Sequence, residues 1–268
     1  MKLHIIMVVL NNLDLTKQAI SSITTRYSYA LHVMDQNSTD GTEEWAKHNP
    51  AVLYKRFSPQ VALSEAWNLA IREALLDPEC EYIFVPNNDV IFHTATIDAL
   101  IEGIDTLGYA MVTGDNVCPK LSLEEFRQLQ NPGDTDHDSR PITNWREEGP
   151  DFSCFMIKRD FVEKVGYFDE NFYPAYFEDN DCHIRILKAG LHAKRLSKAP
   201  YYHLASQTIR NNPQLQPIIS DGFRKNQSYF ILKWGAMPAD VMDGQGYSAP
   251  YNEAEKSWKH WRGADKYE

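Results

Sequence analysis

Apolar residues in this chain fall into short runs separated by longer stretches of helical spacing. LHIIMVVL, residues 3–10, predicts a buried strand, and Asp14 then caps a predicted helix in which Leu15, Ala19, Ile20 and Ile23 recur. ALHVMD predicts a second strand ending on Asp35, and Asp40 with Glu43 three residues on predicts a capping box for the next helix. A strand near 51–57 leads to Ser58-Pro59, a cap followed by proline at the first helical position; Leu63, Ala66, Trp67, Ala70, Ile71 and Ala74 then mark a helix face. A strand at 81–86, a helix from Thr94 to Thr106 and a strand near 109–113 continue the alternation. The pattern predicts an α/β fold, a parallel sheet with helices on both faces. Ligands of such sheets bind at the carboxyl ends of the strands, so Asn11, Asp35 and Asp89 are expected on one rim.

The pattern weakens from 114 to 150, where QNPGDTDHDSRPITNWREEGP has the turn-forming composition of a loop or lid. DFSCFMIK predicts a further strand and RDFVEKV a helix. After about residue 210 the alternation stops, and Trp234, Trp258 and Trp261 supply half of the six tryptophans. The expected division is a domain over 1–210 and an aromatic-rich, helical or irregular extension over 211–268.

Length and charge narrow the partners. A chain of 268 residues with 43% hydrophobic content supports one large α/β domain with a small appendage. A net charge of -10 disfavours nonspecific attraction to polyanions. Cys80, Cys118, Cys154 and Cys182 form no C-x-x-C pair, which points to reduced thiols and a cytoplasmic location. MKLHIIMVVL lacks a cleavage site and reads as the first strand rather than a leader, and no run approaches the ~20 apolar residues of a membrane span.

By residue chemistry alone the polar strand ends admit two readings. Asn87, Asn88 and Asp89 are either an Asx turn closing the strand EYIFVP or a ligand-binding cluster. Glu178, Asp179 and Asp181 in YFEDNDCHIR are either a solvated helix start, favoured at the positive end of the helix dipole, or a catalytic group. Asp181 is spaced to pair with Arg185 as a structural i,i+4 contact.

The order of MVVLNNLDLTKQAISSI, VMDQNSTDGTEEW, FVPNNDV, VGYFDENFYPAYFEDNDCHIRILKAG and YYHLASQT resembles family 2 glycosyltransferases of the GT-A fold, especially the rhamnosyltransferase-like branch, over roughly residues 3–210. The long GYFDE...FEDNDCHIR block is its most specific part. Similar KWG endings are found on some phage-associated members. The resemblance implies an inverting, metal-dependent transfer of sugar from a nucleotide-sugar donor, UDP- or dTDP-linked, to an acceptor hydroxyl. That acceptor would be a glycan or lipid-linked sugar, with a hydroxylated DNA base as the minority option.

Residue by residue, the resemblance assigns Asp89 as ligand to a divalent cation, Mn2+ or Mg2+, that bridges the donor phosphates, with His203 as a further ligand. It assigns Asp179 as general base and Glu178 as its positioning or acceptor-binding neighbour. Asn11, Asp35, Asn68, Asn87 and Asn88 fall in the donor site. Asn87 stands where the commoner motif has an aspartate, and Gln60 and Ala62 depart from the pattern around SPQVALSEAWN, so the base of the nucleotide stays open. The rival readings are a nucleotidyltransferase, against which the absence of a Gly-rich basic loop in VVLNNLDLTK argues, and a noncatalytic nucleotide-sugar binder.

Overall fold

The computed structural model describes residues 2–118, 120–130, 150–204, 211 and 213–242. Its strands are β1 (Leu3–Val9), β2 (Tyr29–Asp35), β3 (Val52–Arg56), β4 (Tyr82–Pro86), β5 (Val90–Phe92), β6 (Met111–Asn116), β7 (Cys154–Lys158) and β8 (Ala193–His203). The helices between them are α1 (Leu13–Ser21), α2 (Thr42–Lys47), α3 (Leu63–Leu75), α4 (Thr96–Leu107), α5 (Leu123–Gln128), α6 (Phe161–Lys164) and α7 (Glu178–Lys188). Two more follow the last strand, α8 (Gln216–Trp234) and α9 (Pro238–Met242).

One sheet carries all eight strands in the order β3-β2-β1-β4-β7-β6-β8-β5. Strands β3, β2, β1 and β4 run parallel, as the alternation predicts. The second half departs from that prediction: β7 runs antiparallel to both β4 and β6, and β5 antiparallel to β8. Apolar periodicity reports burial along a strand but not its direction.

Side chains alternate across the sheet and bury both faces, which is why β1 and β4 read as continuous apolar runs. Leu3, Ile5, Met7, Phe84 and Met156 pack on one face with Leu100, Ile101 and Ile104 of α4. Ile6, Met34, Ile83 and Phe155 pack on the other with Trp67, Ala70 and Ile71 of α3 and Ile186 of α7.

Three predicted helix starts shift. Asn12, not Asp14, precedes α1, and Asp40 reaches across to accept the Leu13 N–H at 2.8 Å. Gly41 in the left-handed region, not Asp40, precedes α2, and no capping box forms; Asp40 bonds the Thr42 N–H and hydroxyl at 3.2 and 2.6 Å. α3 begins at Leu63, beyond Ser58-Pro59, because Gln60 and Val61 dock on Gln36 through bonds of 2.9 and 3.0 Å.

The extension contributes a third core. Phe230 and Trp234 of α8 join Phe172, Phe177, Ile184 and Val241. Asp181 is buried rather than solvated: Arg185 bonds it at 2.9 Å, the Trp234 indole N–H at 3.0 Å, and Lys233 pairs with it as well. α8 also grips the segment leading into α7. The Asn226 amide donates to the carbonyls of Ala175 and Tyr176 at 2.8 and 3.1 Å, and Tyr229 donates to Asp169 at 2.9 Å. Gly222 makes that approach possible, since a Cβ there would stand 2.3 Å from Pro174 and 2.9 Å from the Tyr173 carbonyl oxygen. Gly222→Ala is therefore expected to cost about 1–3 kcal/mol through overpacking. It should lower both the thermal midpoint and the turnover number, because the displaced segment carries Pro174, Ala175 and Tyr176 into the cleft; an unchanged midpoint would show that the contact yields freely.

Two buried histidines make stability depend on acid. Burial pushes His32 and His183 down to about 4 from 6.5, helped by the neighbouring His4 and His192 charges respectively. Between those values the unfolded chain binds protons that the folded chain refuses, so this stability is complete above pH 6.5 and is lost as pH falls toward 4. Each histidine is expected to cost roughly 2 kcal/mol at pH 5. Urea unfolding at pH 7 and pH 5 checks this, and His32→Gln should remove about half of the dependence, His183 supplying the rest.

Candidate active site

Strand direction assembles the site. The carboxyl end of β4 delivers Asn87, Asn88 and Asp89, and the antiparallel pairing of β5 with β8 sets Val90 opposite His203. His203 Nε2 thereby lies 3.0 Å from Asp89 Oδ1. Burial disfavours the charged imidazole, but the hydrogen bond and charge of Asp89, with Asp151 beyond, win and raise the His203 pKa. Asn88 is buried and its amide donates to the Thr16 hydroxyl at 3.0 Å; the Asn87 N–H donates to the Ser153 carbonyl at 2.8 Å.

These residues line a cleft of about 450 Å3 together with Glu178 and Asp179 at the start of α7. Phe177 precedes that helix with a positive φ of 76°, which turns the chain so that the acidic pair enters the cleft. Burial, then the charge of Asp179, holds the Glu178 carboxyl well above the usual carboxylate range. Burial raises Asp179 too, although the Asn180 N–H donates to it at 2.8 Å and opposes the rise. Glu178 is the more buried of the two, and burial disfavours the charge of both carboxyls. Glu178 Oε2 has no hydrogen-bond partner among the described residues.

Other expected site residues lie elsewhere. Asp35 is fully buried, and its carboxylate accepts from the Ser38 N–H at 2.8 Å, the Tyr54 hydroxyl at 2.6 Å and Arg56 at 3.0 Å. Asn68 spends its amide on the chain at Phe168 and Glu170, with bonds of 2.8 to 2.9 Å. Asn11 borders a separate hollow beside α1 and accepts the Thr39 N–H at 2.7 Å. Neither Asp35, Asn68 nor Asn11 lines the main cleft.

Several cleft residues escaped the sequence reading. Asp151 enters because β7 runs against β4, so its amino end sits on the same rim as the carboxyl end of β4. Its signal was an acidic residue just before an apolar strand. Gln36, Gln60, Trp67 and Tyr176 also line the cleft, and Leu215, Ile218 and Ile219 of the extension close one wall. Of the predicted loop at 114–150, residues 131–149 lie outside the described residues, as do Trp258, Trp261 and most of LASQT.

Asp89 and His203 offer one carboxylate and one imidazole at the cleft, a donor set that suits Mn2+ better than Mg2+. Among the described residues no group of three possible ligands stands together.

A family model described as glycosyl transferase family 2 matches residues 4–166, more than half of the chain. The chain belongs to this family. Glycosyltransferase similarity extends to a Leishmania donovani protein named as a galactofuranosyl glycosyltransferase, 30% identical over 87 residues; the match spans 32% of this chain and only 19% of that relative. The fold is the GT-A fold of solved glycosyltransferases. TarS residues 1–349 from S. aureus superpose with a TM-score of 0.55 at 13% identity, covering 92% of this chain and 71% of that one. A mannosyltransferase from Pyrobaculum calidifontis, solved with GDP-Man and Mn2+, superposes with a TM-score of 0.55 at 14% identity, covering 96% and 82%. The four cysteines of this family member are free, and among its described residues no helix is long and apolar enough to cross a membrane.

Proposed function

We propose that this protein is an inverting glycosyltransferase that uses a divalent cation to move a sugar from a nucleotide-sugar onto an acceptor hydroxyl. The observation that carries this reading is the meeting, in one cleft, of the Asp89–His203 pair with the Glu178–Asp179 pair. Asp89 and His203 would hold the cation, which when bound supplies Lewis-acid neutralisation of the departing diphosphate.

Asp179 takes the proton from the acceptor hydroxyl as that oxygen bonds to the anomeric carbon. The bond from that carbon to the diphosphate oxygen breaks in the same displacement, so the configuration inverts. Burial and the charge of Asp179 disfavour ionisation of Glu178, which stands beside the base where it can position it or bind the acceptor.

Both TarS, solved with UDP-GlcNAc, and the mannosyltransferase bind nucleotide-sugars, and this supports a nucleotide-sugar donor here. The net charge of -10 favours a glycan or lipid-linked sugar over DNA as acceptor. The test is a screen of UDP-glucose, UDP-N-acetylglucosamine, GDP-mannose and dTDP-rhamnose with Mn2+, reading thermal shift and release of nucleoside diphosphate. A donor at 100 times its dissociation constant should stabilise by about 2.7 kcal/mol. Binding without release of diphosphate would favour a noncatalytic binder, and release of pyrophosphate from a nucleoside triphosphate would favour a nucleotidyltransferase.

A further inference from the structure

We propose that Asp151 binds the hydroxyls of the donor's sugar ring and so sets which sugar the protein accepts; this rests on the reading of the cleft as a nucleotide-sugar site. Asp151 lines the cleft, three residues ahead of β7. The segment is docked directly on the Asn87–Asp89 motif, through the 2.8 Å bond from the Asn87 N–H to the Ser153 carbonyl.

The carboxylate is pre-oriented. Its Oδ1 accepts from the Ser153 N–H at 3.0 Å and the Ser153 hydroxyl at 2.6 Å, and that hydroxyl lies 2.6 Å from the hydroxyl of the buried Tyr201. The Asp151 N–H reaches the Thr113 hydroxyl at 3.4 Å. A group fixed in this way loses little freedom when it binds a ligand.

Asp151 lines the same cleft as the Asp89–His203 pair and the Glu178–Asp179 pair. In a displacement of the kind proposed, the sugar lies between those two pairs. A carboxylate has about four lone-pair sites, and sugar hydroxyls are donors, so capacity remains beyond the two Ser153 bonds and the neighbouring Tyr201 hydroxyl.

The experiment compares two affinities in the full chain with Mn2+: that of the nucleotide-sugar selected by the screen above, and that of its own nucleoside diphosphate. Asp151→Asn keeps an oxygen for Ser153 and replaces the other acceptor with a donor, so it should fold like the parent; Asp151→Ala removes both. In each variant the nucleotide-sugar is expected to bind about 10- to 100-fold more weakly, while the nucleoside diphosphate stays within about twofold. A relaxed preference between UDP-glucose and UDP-N-acetylglucosamine would accompany the loss. Equal weakening of both ligands would overturn the proposal in favour of a role at the phosphates or in the fold, and unchanged affinity for both would overturn it outright. A wild-type chain that binds the nucleoside diphosphate but none of the four sugars any better than the variants do sinks the Asp151 assignment alone; one that binds no nucleotide sinks the functional reading as well.

Discussion

Asp179→Asn is expected to lower the turnover number by about 10²- to 10⁴-fold while leaving donor affinity nearly unchanged. The amide fills the same space and can keep the 2.8 Å contact with the Asn180 N–H, but it cannot take a proton from the acceptor. The loss should appear in turnover rather than in the Michaelis constant for donor, because the interaction matters when the acceptor oxygen attacks. Single-turnover release of nucleoside diphosphate with calorimetric donor binding measures both. Full activity in this variant would remove Asp179 from the chemistry, and lost donor binding would place it in the donor site. The pH profile adds a check of sign. Burial raises Asp179, so the acidic limb of the rate should lie above the ordinary carboxylate range, with activity falling as pH drops through it.

Asp89→Ala is expected to abolish the Mn2+-dependent part of donor binding and to lower activity by about 10³-fold, several kcal/mol of leaving-group stabilisation at 1.36 kcal/mol per tenfold. His203→Ala should do the same to a smaller extent, since a neutral ligand contributes less than a carboxylate to holding a dication. The two losses should not add, because each side chain leans on the other at 3.0 Å. The thermal shift produced by nucleoside diphosphate with and without Mn2+ reads this directly. A Mn2+-dependent shift that survives in Asp89→Ala would remove the cation from this pair.

Much of the donor half was legible from pattern. The runs over β1, β2 and β4 are apolar because both faces of a parallel sheet are covered, and the polar residues that follow them lie at the carboxyl rim. The acidic start of α7 was visible as a cluster, but its burial was not. Asp181 looks like the solvent side of a helix until Arg185, Lys233 and Trp234 are folded around it. Asp35 shows the converse: it ends a strand on the expected rim, yet Tyr54 and Arg56 from the neighbouring β3 occupy its carboxylate. A strand-end position specifies a side of the sheet, whereas the partners come from residues some twenty positions away.

What the pattern of residues by itself determined was the layered α/β architecture, because local periodicity is a property of neighbouring residues; the order of the motifs, through its resemblance to family 2 glycosyltransferases, supplied Asp89, His203, Glu178 and Asp179 as candidates. Only the tertiary structure decided that β7 and β5 run backwards, that Asp151 therefore joins the cleft, that Asp35 is enclosed by Tyr54 and Arg56, and that α8 closes the wall. Strand direction and helix docking depend on contacts between segments far apart in the chain, and the energy that selects them is the burial of whole faces rather than the preference of any short stretch.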